Sequence, residues 1–405
     1  MAPDVHGGPR SGMNPVPNAA QPQAERPLVV VLNNDILPYR IPLFRALDAS
    51  TDMRFHVLFS TERAWDRSWR VDRQQLGFRH TVLRGFALRL RKPNYGEWRT
   101  IYINPTLLLH LLRLRPDVIV GYEYSAPALT ALLYARIRRA AYVVWSDCTR
   151  YAERDLTRGQ RWTRRLILPR AQAYLGTSQA ACDNLVHSGA PVESVFESPM
   201  SHAVAWFENE AARARKEPVS GGAHNILYVG YLNERKGVTA LLKAFAVVAR
   251  EQPEARLLLI GDGPLRSSLE ALAHRLGVHA RVDFGGFVQP RELPATYAQA
   301  EVFVLPSLED TFGVVVVEAL ACGVPVVCSK YAGASSHLVD GTNAFIVDPE
   351  DTDQFADRIL QLQSDAGLRG RFAAEGRRVA KSFEAMAVAQ PFMAAARAAL
   401  DRLRR

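Results

Sequence analysis

The stretch PSLEDTFGVVVVEALACGVPVV, residues Pro306–Val327, decides how the chain is read. Its start reads as the end of a buried strand near Ser307, followed by an acidic turn, a bare glycine at Gly313 and the first residues of a helix. The helix should stop at Gly323, and Pro325 should open the next strand through Val326 and Val327. A strand-to-helix turn of this type aims free backbone N–H groups at whatever lies above the sheet, which makes an anion site. Asp310 and Glu318 flank the turn, eight positions apart. An anion has no use for carboxylates, but sugar hydroxyls do, because they donate hydrogen bonds that carboxylates accept. The turn therefore suits a ligand with both parts, a nucleotide sugar.

At 405 residues the chain is long enough for two domains. Hydrophobic residues make up 48% and charged residues 22%, the balance of a globular enzyme with ample core. No run of eighteen apolar residues occurs, so no membrane-spanning helix is expected. Residues 1–26 carry Pro, Gly, Asn and Gln without apolar periodicity and read as a disordered tail. They contain no apolar signal-peptide core, and a cytoplasmic location is expected. Cys148, Cys182, Cys322 and Cys328 have no zinc spacing and read as reduced thiols.

The basic excess is one-sided. Residues 1–200 hold 27 Lys and Arg against 17 Asp and Glu, whereas residues 201–405 hold 23 against 24. With no helix-turn-helix, zinc-finger or RNA-binding signature, nucleic acid is not expected as a partner. Attraction to an anionic membrane surface, or to an anionic acceptor, fits the excess, and so does a plain arginine-rich surface.

Short apolar runs alternate with helical patterns along the whole chain. Strands are expected at Leu28–Asn33, Phe55–Ser60, Asp117–Tyr122, Tyr142–Ser146 and Ala173–Thr177. A second series follows at Ile226–Gly230, Arg256–Gly261, Val282–Phe284, Val302–Pro306, Pro325–Ser329 and Ala344–Val347. Helices are expected between them, at Pro42–Ser50, Val238–Glu251 and Leu265–Leu276 among others. Near-continuous apolar strands alternating with helices imply parallel sheets covered on both faces. The expected class is thus α/β, with two doubly wound Rossmann-like domains facing a cleft. The polar stretch Ala205–Gly222 reads as the hinge. The division is an acceptor-binding domain at 27–205, a linker at 206–224, a nucleotide-sugar-binding domain at 225–384, and a C-terminal helix at 385–405 packing back on the first domain. Pro391 should start or kink that last helix.

Four motifs follow strands of the second series: YVGYLNERKG (Tyr228–Gly237), IGDGPLR (Ile260–Arg266), GGFV (Gly285–Val288) and the Asp310–Glu318 turn. In this order and spacing they resemble the C-terminal domain of retaining GT-B glycosyltransferases, glycosyltransferase family four above all. The resemblance covers Ile226–Ile359. It extends more weakly to NNDILPYRIPLFRAL (Asn33–Leu47), YVVWSD (Tyr142–Asp147) and YLGTSQAACDNLVHSGAP (Tyr174–Pro191).

The resemblance implies roles. Lys236 and Arg235 would bind the donor diphosphate. The backbone at Gly313 and Val314 would cap the phosphate next to the sugar, Phe312 and Val315 would belong to the same donor site, and Gly261 and Gly263 would let backbone approach the donor. Phe287 and Val288 would line the base. Asp310 would contact the transferred sugar and Glu318 the ribose. Three positions depart from the family pattern: Tyr231 stands where an Arg is common, Asp310 replaces a Glu, and Trp145–Ser146–Asp147 stands where many members have a His. Asp35, Tyr39, Arg40, Glu123 and Asp147, at first-domain strand ends, are candidates for the acceptor site. His202 reads as structural. Arg158–Arg170 mixes arginines with Trp162, Leu166, Ile167 and Leu168, which suits either a helix packed on the sheet or a membrane contact.

No metal or other cofactor is expected. The one D-x-D, Asp351–Thr352–Asp353, follows Pro349 at a helix start, where Asp and Thr act as caps. The expected activity is metal-independent, retaining transfer of a hexose-type sugar from a nucleoside diphosphate sugar to a saccharide, lipid-linked saccharide or small glycoside. A catalytically silent partner subunit with this fold and a nucleotide-sugar epimerase are the alternatives.

Overall fold

The run LVVVLN is apolar at all but its last position, so both of its faces need cover. In the computed structural model of the chain, which describes residues 26–62, 69, 71, 76–91, 98–151, 156–216 and 226–405, this run is strand β1, Leu28–Asn33. It lies inside a seven-stranded sheet with β2 (Arg54–Phe59), β3 (His80–Val82), β6 (Val118–Tyr122), β7 (Ala141–Ser146), β8 (Ala173–Gly176) and β9 (Val195–Glu197). The order is β3-β2-β1-β6-β7-β8-β9, and every neighbour pair is parallel. Strands β4 (Phe86–Arg91) and β5 (Trp98–Ile103) form a separate antiparallel hairpin.

The second sheet contains β10 (Ile226–Val229), β11 (Leu257–Ile260), β12 (Val282–Gly286), β13 (Val302–Leu305), β14 (Val326–Ser329) and β15 (Phe345–Val347). Its order is β12-β11-β10-β13-β14-β15, again all parallel. The direction of winding reverses between β10 and β13, and in the first sheet between β1 and β6. Ligands of open α/β sheets sit beyond the strand C-termini at such reversals, because the flanking loops part there.

All the expected strands are present, with ends displaced by two residues at most. Strands β3, β4, β5 and β9 were not anticipated. β3 and β9 are three-residue edges, and β4 alternates leucines with arginines, so none shows a buried-strand run.

Two expectations need correction. The stretch read as the hinge begins as a helix, Val204–Ala214, which buries Val204, Phe207 and Ala211 in the second-domain core. Its three buried positions are spaced along one face, and the polar residues between Phe207 and Ala211 hid it. The rest of that linker, residues 217–225, and the N-terminal tail, residues 1–25, lie outside the described residues. Pro391 lies inside one continuous helix, Ala385–Arg404, rather than at its start.

The C-terminal helix lays Val388, Ala389, Phe392, Ala395, Ala396 and Ala399 on the first sheet. The Phe392 ring meets Trp145 edge-on, with centroids 5.3 Å apart. The chain thus crosses between the domains twice, and the crossings are stitched together. The backbone N–H of His202 donates to Phe383 O at 2.9 Å, and Ser198 Oγ donates to Val388 O at 3.2 Å. Replacing a fully buried Phe by Ala loses its transfer energy and leaves a cavity. Phe392→Ala should therefore destabilise the first domain by about 3–5 kcal/mol. A lowered urea midpoint in tryptophan fluorescence checks this; an unchanged midpoint would mean that the helix does not hold the domain.

Candidate active site

The second-domain reversal is built from β10 and β13. After β10 the chain turns through Gly230, Tyr231 and Leu232 into a short 3-10 turn, Glu234–Lys236. Asn233 caps it, its side chain accepting from the Lys236 N–H at 3.1 Å. Gly237 follows in the left-handed region at φ +67°, and a Cβ there would lie 1.9 Å from the carbonyl oxygen of Pro306. Only glycine lets the two loops of the reversal come this close. The contact fixes Lys236 beside the Pro306–Gly313 turn, where its ammonium pairs with Asp310. Arg235 donates to the Glu309 carbonyl at 3.1 Å. Burial opposes ionisation of Asp310, but Lys236, Arg235 and the Phe312 N–H outweigh it and hold its carboxyl below the usual range.

Gly313, at φ +92°, precedes the helix Val314–Ala321. Helix dipole and free N–H groups make this end electropositive. One turn further in, Glu318 is buried with both oxygens engaged. His202 Nε2 donates to Oε1 at 2.9 Å, and Tyr297 OH donates to Oε2 at 2.9 Å. His202 Nδ1 accepts from the Ala203 N–H at 2.9 Å, so the ring proton sits on Nε2 and faces the acid. Burial, and then the Glu318 charge, push the Tyr297 phenol well above its ordinary range, so it remains a donor. His202, read as merely structural in the sequence, is a wall of the site; it is 116 residues away from Glu318, and no local pattern links them.

Between the domains lies a cavity of about 610 Å³, within the usual size of a small-molecule site. Gly261, Phe287, Val288, Val314, Val315, Glu318 and Tyr39 line it, as do His202, Trp206, Tyr231 and Arg291, which sequence reasoning did not select. Lys236, Arg235, Asp310 and Gly313 adjoin this cavity through the turn rather than lining it. Two donor-site candidates lie away from the cavity wall. Phe312 is 1% exposed and packs on Phe383 inside the core. Gly263 does not reach the cavity; a Cβ there would meet Leu232 O at 2.4 Å, so it serves loop packing.

The first-domain candidates form a network of their own. Arg40, 1% exposed, donates to Asn33 Oδ1 at 2.9 Å, Tyr122 OH at 3.0 Å and Asp147 Oδ2 at 2.9 Å. Its guanidinium also lies 4.4 Å from the ring centroids of Tyr122 and Trp145. Burial opposes the Arg40 charge, but Tyr122 and Asp147 keep it firmly protonated. Arg40 and Asp147, both acceptor-site candidates, are thus engaged with each other. Asp35 is buried and outside the cavity. Tyr39 is the one acceptor candidate that lines it.

Glu123 follows β6 with φ +55°, uncommon for a residue with a side chain. It accepts from Asp147 N at 2.6 Å and from Ser146 Oγ at 3.1 Å. Burial first, and then the Asp147 charge, raise its carboxyl to about 7. Among the described residues no three His, Cys, Asp or Glu side chains converge on a metal-sized site. Asp351 caps the helix Thr352–Ser364, accepting from the Gln354 N–H at 3.1 Å. The four cysteines are buried and unbridged, and burial pushes the Cys182 thiol up to about 12.

The raised Glu123 carboxyl has a consequence for stability. Folded protein keeps this proton while the unfolded chain loses it from about pH 4.5, so the stability it contributes is present at low pH and is lost as pH rises toward 7. The loss should be of order 1–3 kcal/mol. Urea melts across this range should show the decline in the wild type and a flatter profile in Glu123→Gln; parallel profiles would contradict the assignment.

Residues 210–379 match the family described as Glycosyl transferases group 1. Alpha-D-kanosaminyltransferase of Streptomyces kanamyceticus is 29% identical over 268 residues, covering 62% of this chain and 68% of that protein. The GDP-mannose-dependent alpha-(1-6)-phosphatidylinositol monomannoside mannosyltransferase of Mycolicibacterium smegmatis is 32% identical over 173 residues, 41% of this chain. The alignment spans 45% of that relative, about half its length. Among solved structures, Anabaena Alr3699/HepE in complex with UDP-glucose superposes with a TM-score of 0.71 at 20% identity, over 91% of this chain and 99% of that one. WaaG, a glycosyltransferase involved in lipopolysaccharide biosynthesis, superposes with a TM-score of 0.64 at 17% identity, over 91% and 98%. Residues 210–379 are therefore a Glycosyl transferases group 1 domain, and the chain has the two-sheet GT-B fold of the glycosyltransferases.

Proposed function

We propose that the protein transfers a hexose-type sugar from a nucleoside diphosphate sugar to an acceptor hydroxyl, with retention of configuration and without a metal ion. The observation that carries this reading is the layout around Gly313. A helix N-terminus, a cation–acid pair at Lys236 and Asp310, and the buried Glu318 line up along one turn beside a cavity of nucleotide size. The nucleoside end would occupy the cavity, the base against Phe287 and Val288. Glu318 would accept from the ribose hydroxyls, since each of its oxygens keeps a lone pair beyond the bond to His202 or Tyr297. The diphosphate would meet the N–H groups of Val314 and Val315, with Arg235 and Lys236 beyond them.

In the reaction the bond between the anomeric carbon and the diphosphate oxygen breaks, and the acceptor oxygen bonds the same carbon on the same face. The acceptor proton passes to the departing diphosphate oxygen, so no separate base is required. Charge grows on the diphosphate as the bond lengthens, and fixed cations and N–H dipoles stabilise it. Asp310 keeps Lys236 in place and offers an acceptor to a sugar hydroxyl. Relatives support a nucleoside diphosphate donor: one is GDP-mannose-dependent by name, and one neighbour was solved with UDP-glucose. The acceptor, a saccharide, lipid-linked saccharide or small glycoside, would enter from the first-domain side past Tyr39. No described helix is long and apolar enough to cross a membrane, and the reading includes a cytoplasmic location with peripheral contact at an anionic inner face.

Incubation with a panel of nucleoside diphosphate sugars tests this. Release of nucleoside diphosphate that persists in excess chelator, and an early product of unchanged anomeric configuration by NMR, are expected. Lys236→Ala should lower kcat by about 10²–10³-fold with the fold intact. Isomerised donor would indicate an epimerase, nucleotide binding without turnover a silent subunit, and full activity of Lys236→Ala a misassigned phosphate site.

A further inference from the structure

The helix layer on one face of the first sheet has an unusual outer surface. Helices Leu107–Leu114 and Ala126–Arg138 bury Leu107, Leu111, Ala128, Ala131 and Leu132 beneath them. Their outer sides nevertheless expose Leu108, Leu109, Leu112, Leu133 and Ile137, the last at 79%. Helix Arg158–Ile167 packs beside them and exposes Trp162 between Arg158, Arg161 and Arg165. Strand β4, whose partner β5 packs on Ala126–Arg138, exposes Phe86, Leu88 and Leu90, which share one side of the strand. These three helices and β4 together hold nine arginines and no Asp or Glu.

Neighbouring helices that expose this many large apolar side chains mark an interaction site rather than ordinary surface. Its charge selects the partner. We propose that this face docks the protein on an anionic lipid bilayer, with the leucines, Ile137, Phe86 and Trp162 entering the interface and the arginines meeting lipid phosphates. A nucleic acid or an acidic polysaccharide would satisfy the arginines but give the leucines no burial. An apolar protein surface would satisfy the leucines but offer no anion to the arginine-rich frame. A bilayer offers both at once, an apolar interior under a negative surface. The proposal locates the membrane contact included in the functional reading. It takes up both alternatives for Arg158–Arg170: Ile167 and Leu168 pack on the sheet, while the Trp162 side faces out.

Flotation of the full chain with lipid vesicles tests it. With vesicles containing about 30% phosphatidylglycerol the protein should float, less so as salt rises, and with pure phosphatidylcholine it should stay behind. Arg136→Glu/Arg138→Glu should weaken binding at least tenfold, from about fivefold per arginine removed. Leu108→Ser/Leu112→Ser/Ile137→Ser should weaken it as strongly, with unchanged circular dichroism because all three are exposed. Sugar transfer to a soluble acceptor should persist in both variants, so loss of docking and loss of the transfer reading are told apart. Failure of the wild type to float with anionic vesicles would overturn the proposal. So would flotation that the leucine variant leaves intact, or binding to a DNA oligonucleotide as tight as to the vesicles.

Discussion

A buried carboxylate needs partners for both oxygens, because an unpaired one costs several kcal/mol. Glu318 meets that condition with groups from far apart in the chain: Tyr297 before β13, and His202 on the segment where the chain crosses between domains. That segment is in turn pinned to the returning crossing through His202 N and Phe383 O. The position of Glu318 thus depends on how the two domains are joined, and the cavity that it lines is open to both. A hinge movement would be felt at Glu318 through His202, which ties the ribose end of the proposed site to interdomain geometry.

The two domains use charge differently at their strand ends. In the second, Lys236 and Asp310 pair beside a helix N-terminus, and both remain next to the cavity where a ligand can compete for them. In the first, Arg40, Tyr122 and Asp147 bond to one another beside Trp145, with Tyr122 OH donating to Asp147 Oδ2 at 2.5 Å and Asp147 Oδ1 left without a side-chain or backbone donor. Breaking such a buried pair from one side costs about 3–5 kcal/mol. The first network therefore braces the strand ends of β1, β6 and β7, with the Glu123 carboxyl joined to it through the Asp147 N–H.

Much of this was legible in the sequence because the physics is local. A fully buried parallel strand is an unbroken apolar run, and β1, β10 and β13 were readable as such. Gly237 and Gly261 sit where backbones nearly touch, Gly313 takes a left-handed φ before its helix, and their motifs carried the family resemblance. What escaped was long-range or masked. The pairing of Arg40 with Asp147 spans 107 positions and that of His202 with Glu318 spans 116. Helix Val204–Ala214 shows only three buried positions among polar ones, and β4 carries arginines between its leucines and is exposed along its described side chains, so it has no buried-strand pattern. Phe312 was assigned to the ligand from its place in the motif, yet its ring is needed as core beneath the turn.

The central claim is that Glu318 and Asp310 divide the donor between them, the first holding the nucleoside and the second the sugar. Calorimetric titration of nucleoside diphosphate into Glu318→Gln and Asp310→Asn, with turnover measured alongside, tests it most directly. Glu318→Gln should weaken nucleoside diphosphate binding by roughly 10–100-fold, the loss of one charge-assisted hydrogen bond. Asp310→Asn should bind nucleoside diphosphate at least as well as the wild type, since Lys236 is released from its partner, while turnover collapses. Equal weakening in both variants, or transfer undiminished in Asp310→Asn, would contradict it.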